Sequence, residues 1–142
     1  MRLDWGRGNV IRLDGVEVAQ IPISPWSRTS KASIGGRPWK LRRGDDYQAT
    51  PDGAAEPIFS VQRERGSSTS WHAVSGSGWY GLRKEGTLSV GLTLWRAGAQ
   101  VGHTGYTGGF PNYVRLDCEP SIPVDDAVLL LWFWYVLAAS SQ

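Results

Sequence analysis

Arg37, Lys40, Arg42 and Arg43 fall within one short stretch and form the densest cluster of cations in the chain. In an extended strand, alternate residues face opposite sides. If Trp39 and Leu41 face inward, Lys40 and Arg42 face outward together, with Arg37 and Arg43 bracketing them. Such a set can hold a phosphate or sit on an anionic membrane, at about 1 kcal/mol per residue near the lipid. It also has the composition of an ordinary solvated strand face. These four residues are the candidate ligand-binding site, and an anionic head group is the candidate ligand.

Other residue types capable of chemistry lack the spacing that chemistry needs. Gly76-Ser77-Gly78-Trp79-Tyr80-Gly81 satisfies GxGxxG, but a dinucleotide site needs a strand before it and a helix after it. Here Leu82-Arg83-Lys84-Glu85-Gly86 runs on into a turn, so a β-turn or bulge is the better use of these glycines. Ser77 lies between glycines without the GxSxG elbow of a hydrolase. His72 and His103 are the only histidines and Cys118 the only cysteine, so no zinc motif can be drawn and no internal disulfide can form. Asp45-Asp46 and Asp125-Asp126 are acidic pairs. Neighbours on a strand point apart, the first pair suits a turn, and the second suits a helix start. No catalytic residue, metal ligand or cofactor is assigned, and the chain is not read as an enzyme.

Positioning the candidate cluster requires strands. Residues 87–95, TLSVGLTLW, alternate strictly, with Leu88, Val90, Leu92 and Leu94 on one face. Val10–Leu13 and Gly15–Ile21 flank an Asp14-Gly15 turn, a strong hairpin signal. Further strands are expected at Ala32–Ile34 and Trp39–Arg42 around Gly35-Gly36, and at Pro57–Arg63 and Ser70–Val74 around Gly66. Trp79–Arg83 precedes a Glu85-Gly86 turn, and Ala99–His103 and Tyr113–Cys118 complete the set. Turn signals every 8–12 residues or so suit a sandwich or barrel, and an antiparallel sheet wet on one face fits the alternation. Residues 44–57 read as a loop. The segments beginning at Trp39 and Trp79 both carry a Leu-Arg-basic run before a Gly turn, as a pseudo-repeat of hairpins would.

The other element is a helix over residues 125–139. Ala127–Ala139 holds no charge and no helix breaker. Pro123 stops the extended chain, Asp125 can cap the helix, and Asp126 sits in its positive first turn. A membrane span needs about 20 apolar residues. This run is shorter and has no Lys or Arg beside it, so a buried core helix is expected, with no transmembrane span. Fifteen helical residues extend roughly 22 Å, about the length of a six- or seven-residue strand, so a curled sheet could wrap the helix.

The order of parts resembles a known family. Gly98-Ala99-Gln100-Val101-Gly102, a Gly-rich turn, Tyr113-Val114-Arg115-Leu116-Asp117, and Ile122-Pro123-Val124-Asp125-Asp126 before an apolar helix look like the tubby C-terminal-like superfamily. That superfamily includes the phospholipid scramblases and LURP-one-related proteins. The resemblance implies one domain over residues 1–142, a closed antiparallel barrel of about twelve short strands around the C-terminal helix. The chain lacks the proline-rich N-terminal region, the cysteine-rich run and the calcium loop of the scramblase branch. Tubby proteins bind phosphoinositide head groups through Lys and Arg on the barrel wall, but no individual residue is carried over.

Composition bounds the partners. At 142 residues with 41% hydrophobic and 20% charged content, the chain suits a single globular domain. A net charge of +2 gives no reason to invoke nucleic acid. Residues 1–50 carry nine Lys/Arg against five Asp/Glu, so any basic face belongs to that half. The N-terminal residues show no secretory signal, and the expected location is cytoplasmic, at most peripheral to a membrane. The expected function is non-enzymatic binding of an anionic lipid head group or a protein partner. Two alternatives are a carbohydrate-binding module using Trp5, Trp26, Trp71, Trp79 and Trp95, and a small hydrolase using His72 or His103.

Overall fold

The computed structural model describes residues 1–24, 26–84, 91–107 and 113–140. β1 (Arg2–Gly6) is joined by a 3-10 turn at Arg7–Asn9 to β2 (Val10–Leu13) and β3 (Val16–Gln20). β4 (Thr29–Ile34), β5 (Arg37–Arg42), β6 (Tyr47–Pro51) and β7 (Phe59–Arg63) come next. β8 (Ser70–Ser75), β9 (Gly78–Lys84), β10 (Leu92–Arg96), β11 (Ala99–Tyr106) and β12 (Val114–Cys118) follow, and then the helix α1 (Val124–Ser140). Each strand pairs antiparallel with its sequence neighbours, and Leu3 opposite Leu116 closes the ring between β1 and β12.

Strand number explains how a helix fits inside. Eight strands enclose little more than side chains, and barrel diameter grows with strand count. Twelve leave room for a helix about 10–12 Å across. From Ala127 to Trp134 no residue of α1 is more than 3% exposed. A helix apolar on every side has no face to offer water and must be surrounded. The strands surround it with alternate residues. Leu3 and Trp5, Trp39 and Leu41, Phe59 and Val61, and Tyr80 and Leu82 are buried, while the residues between them are exposed or half-buried. Aromatic contacts join wall to helix. Trp5 stacks on Tyr135 with ring centroids 4.2 Å apart. Tyr47 and Trp71 stand edge-on to Phe133 at 4.8 and 5.8 Å. No helix among the described residues is long and apolar enough to cross a membrane.

Some local expectations need correction. The helix starts at Val124, one residue early, and Asp125 lies in its first turn instead of capping it. The Pro123 carbonyl accepts the first helical bond, from Ala127 N–H at 3.0 Å. Residues 44–57 are not all loop, because β6 runs through them, with Tyr47, Ala49 and Pro51 on its inward face and small Ala49 at the centre. A small residue there leaves space for the helix but erases the alternation of large apolar side chains that marks a strand. Of the segment 87–95, residues 87–90 lie outside the described residues, as do the Glu85-Gly86 turn and the centre of the Gly-rich turn before Tyr113. β10 begins at Leu92.

The turns fit the strand twist. Asp14 (φ 48°) and Gly15 (φ 90°) both take positive φ, the type I′ geometry of a two-residue hairpin. Ala97 (φ 51°) and Gly98 (φ 80°) do the same between β10 and β11, although alanine there is strained.

Candidate functional site

On the outer wall of β4–β6, pairing sets the neighbours. Lys31 of β4 lies directly opposite Lys40 of β5, and Thr29 opposite Arg42. On the other side Thr50 and Gln48 of β6 face Lys40 and Arg42. Lys31, Lys40 and Arg42 are exposed, while Trp39 and Leu41 between them are buried. No carboxylate occupies an outward position on these three strands, and the three cations make no ion pair among the described residues.

Arg37 opens β5 and Arg43 follows its last residue, and neither extends this patch. Arg37 donates to the Asp52 carbonyl at 3.0 Å, and its charge only partly offsets the rise that burial and Asp126 impose on the Asp125 carboxyl pKa beside the helix N-terminus. Arg43 lies at the opposite rim, where its guanidinium donates to the Ser24 carbonyl at 3.2 Å. Lys31 takes their place in the patch. It is isolated in its own segment, TSKASI, and only the β4–β5 register brings it opposite Lys40.

The rim at Arg43 carries a second feature. Trp26 is 94% exposed in the β3–β4 connection. With Arg28, Arg43, Tyr47 and Val136 it lines an open recess of about 410 Å³. Arg43 N–H donates to the Arg28 carbonyl at 2.8 Å, which fixes this rim to the start of β4.

At the other end a polar cluster ties the helix to the wall. Ser75, Ser77 and Tyr80 donate their hydroxyls to one oxygen of buried Asp126, at 2.8, 2.5 and 2.8 Å. Arg96 donates to the Tyr80 hydroxyl oxygen at 2.9 Å and lies over its ring at 4.5 Å. Burial above all pushes the Tyr80 hydroxyl pKa up to about 12. Partial burial and the neighbouring Asp126 charge raise that of Asp125. A cavity of about 240 Å³ adjoins the cluster, between Trp39, Phe59, Ser77, Asp125 and Leu129.

This arrangement joins the first turn of the helix to β8 and β9. Each serine donates to a carboxylate oxygen that also accepts from the other serine and from Tyr80, so one oxygen is shared three ways. Neither histidine hydrogen-bonds to these serines. His72 is tilted against Trp79, with ring centroids 5.6 Å apart, on the outer wall. His103 faces Asp117 across the β11–β12 pair at 3.6 Å. The Ser, His and carboxylate that hydrolysis would require are therefore not assembled among the described residues. No group of three or more His, Cys, Asp or Glu among them could hold a metal ion. Cys118 is buried, and burial pushes its thiol pKa up to about 11.

The tryptophans named for a sugar site divide. Trp5 and Trp71 are buried beside the helix, whereas Trp79 is 65% exposed and Trp95 half-buried. Compared with protein-family models, with curated proteins and with solved structures, the chain matches none.

Proposed function

We propose that this chain is a non-enzymatic binding barrel of the tubby-like kind its sequence resembles, holding an anionic lipid head group on its β4–β5 wall. The observation that carries the reading is the Lys31–Lys40 pair. Like charges directly opposite across strands are destabilising, and no carboxylate on the wall relieves this one. An anion seated over Lys31, Lys40 and Arg42 relieves it. Exposed Trp26 favours a membrane over a protein partner, since an indole beside arginines suits the headgroup layer. On this reading the barrel works at a membrane surface from the cytoplasmic side, where anionic lipid is concentrated.

The test is sedimentation with phosphatidylcholine vesicles, with and without an anionic phosphoinositide. The wild type should partition onto the anionic vesicles alone. Neutralising Lys31, Lys40 and Arg42 to Gln should weaken partitioning by about two orders of magnitude, at about 1 kcal/mol per residue. Equal recovery of the wild type with both vesicles sinks the proposal. So does a triple variant that still binds as the wild type does.

A further inference from the structure

We propose that the outer wall of β8–β10 carries a second, independent site, a cup with Gly81 as its floor that takes an acidic saccharide. The register builds the cup. His72 and Trp95 are the cross-strand neighbours of Gly81, and Trp79 and Arg83 lie two residues away on the same face of β9. Four large side chains thus surround a position that has none. The hollow measures about 410 Å³, within the range of small-ligand sites.

The backbone does not demand glycine at this place. A Cβ on Gly81 would meet Trp95 Cβ at 3.6 Å, an ordinary contact, and its φ lies outside the left-handed region. What glycine provides here is the space. The register of β10 on β11 shifts between Leu94 and Trp95, and such bulges re-aim the side chain beside them. Ala97, on the rim of the cup, holds the strained φ of 51°, and backbone strain of this kind gathers at functional sites.

The walls specify the ligand. Trp79 and Trp95 offer flat indole surfaces, and the Trp95 N–H is already given to Thr93 Oγ1 at 2.9 Å. Arg83 lies over the Trp95 ring at 4.9 Å, and no carboxylate among the described residues lines the cup. A pyranose can rest its C–H face on an indole while its carboxylate or sulfate meets the Arg83 guanidinium. A nucleobase fits less well. Its edge N–H groups, thymine's ring N–H included, need acceptors, and apart from His72 the cup's free side chains offer donors only.

Calorimetric titration with a sulfated uronate–glucosamine oligosaccharide tests the site, beside a neutral glucan of equal length and an oligothymidylate. The acidic saccharide should bind and the other two should not. Gly81→Val, which fills the floor with a residue suited to a strand, should weaken binding about tenfold, as should Trp79→Ala. Arg83→Gln should weaken it and flatten its salt dependence. All three positions lie on the outer face, so thermal melts should hold steady and show that the fold survives. The variant lacking Lys31, Lys40 and Arg42 should bind the saccharide unchanged, which separates this site from the lipid wall. Any of four results overturns the proposal: no saccharide binding, equal binding of the neutral glucan, tight oligothymidylate binding sensitive to Gly81→Val, or saccharide binding that survives Gly81→Val.

Discussion

Trp39 on β5 and Trp79 on β9 open similar segments, yet one ring is 4% exposed and the other 65%. The difference is one residue of spacing. Leu41 follows Trp39 by two positions and Leu82 follows Trp79 by three. Both leucines are buried. Because side chains alternate across a strand, the ring at even spacing goes inside with its leucine and the ring at odd spacing goes to the surface. The two segments are therefore out of phase, and the pseudo-repeat seen in the sequence is not repeated in space. The walls differ in attachment as well. β9 is bound to the helix through the polar cluster at Asp126, whereas β5 meets the interior with buried Trp39 and Leu41. Outside, β4–β5 is basic and β8–β10 aromatic. The interior must satisfy one helix and is mostly apolar outside the Asp126 cluster, so the outer faces are where the walls can specialise further.

The strongest perturbation should abolish the contrast. Phe133 touches Tyr47 of β6 and Trp71 of β8. Phe133→Ala should cost about 3–5 kcal/mol in chemical denaturation and loosen both walls together. If only one wall lost protection, the helix would not be their common support.

Asp126→Ala should separate the walls. It leaves three hydroxyls without their carboxylate, at a cost of about 2–4 kcal/mol. In hydrogen exchange, β8 and β9 should lose protection before β4 and β5. Equal loss in both would mean that the cluster pins neither wall in particular.

Titration sharpens the comparison at the same end. The Asp125 carboxyl pKa is raised above its ordinary 3.8. Between that value and the raised one, the folded chain keeps a proton that the unfolded chain has released. Stability from this group therefore falls as pH rises through the window, and the penalty persists above it. Asp125→Asn should raise Tm at neutral pH and leave it unchanged below the ordinary carboxylate range. A variant less stable at neutral pH would show that the helix N-terminus outweighs burial at this carboxyl.

The smallest expected effect concerns the aromatic wall alone. Ala97→Gly relieves a positive φ and should stabilise the β10–β11 hairpin by up to about 1 kcal/mol, reduced by the greater freedom of unfolded glycine. A lower Tm would mean that the turn is not under strain.

How far the chain could be read in advance follows the same physics. A central helix was legible because an apolar run too short to span a membrane has few places to go. The closed ring of about twelve strands was expected only from the family resemblance, since the turn spacing alone left sandwich and barrel open. β1 escaped notice because its alternation rests on Leu3 and Trp5 alone, and β6 because its inward face of Tyr47, Ala49 and Pro51 has a small residue at its centre and a proline at its end. The Asp126 cluster was illegible for another reason. Ser75 and Asp126 are 51 residues apart, and only barrel closure around the helix brings them within hydrogen-bonding distance. Lys31 needed the β4–β5 register. The cup needed Gly81 to be seen as an absence among four neighbours, which no motif records.

Amide chemical-shift mapping by NMR, titrating a soluble inositol phosphate into the wild-type chain, addresses the functional assignment most directly. Saturable shifts should concentrate on Lys31, Lys40, Arg42 and their β4–β5 neighbours, and leave the amides around Gly81 unmoved. Shifts that concentrate elsewhere, or a titration that moves nothing on β4–β5, would contradict the assignment of that wall to anion binding.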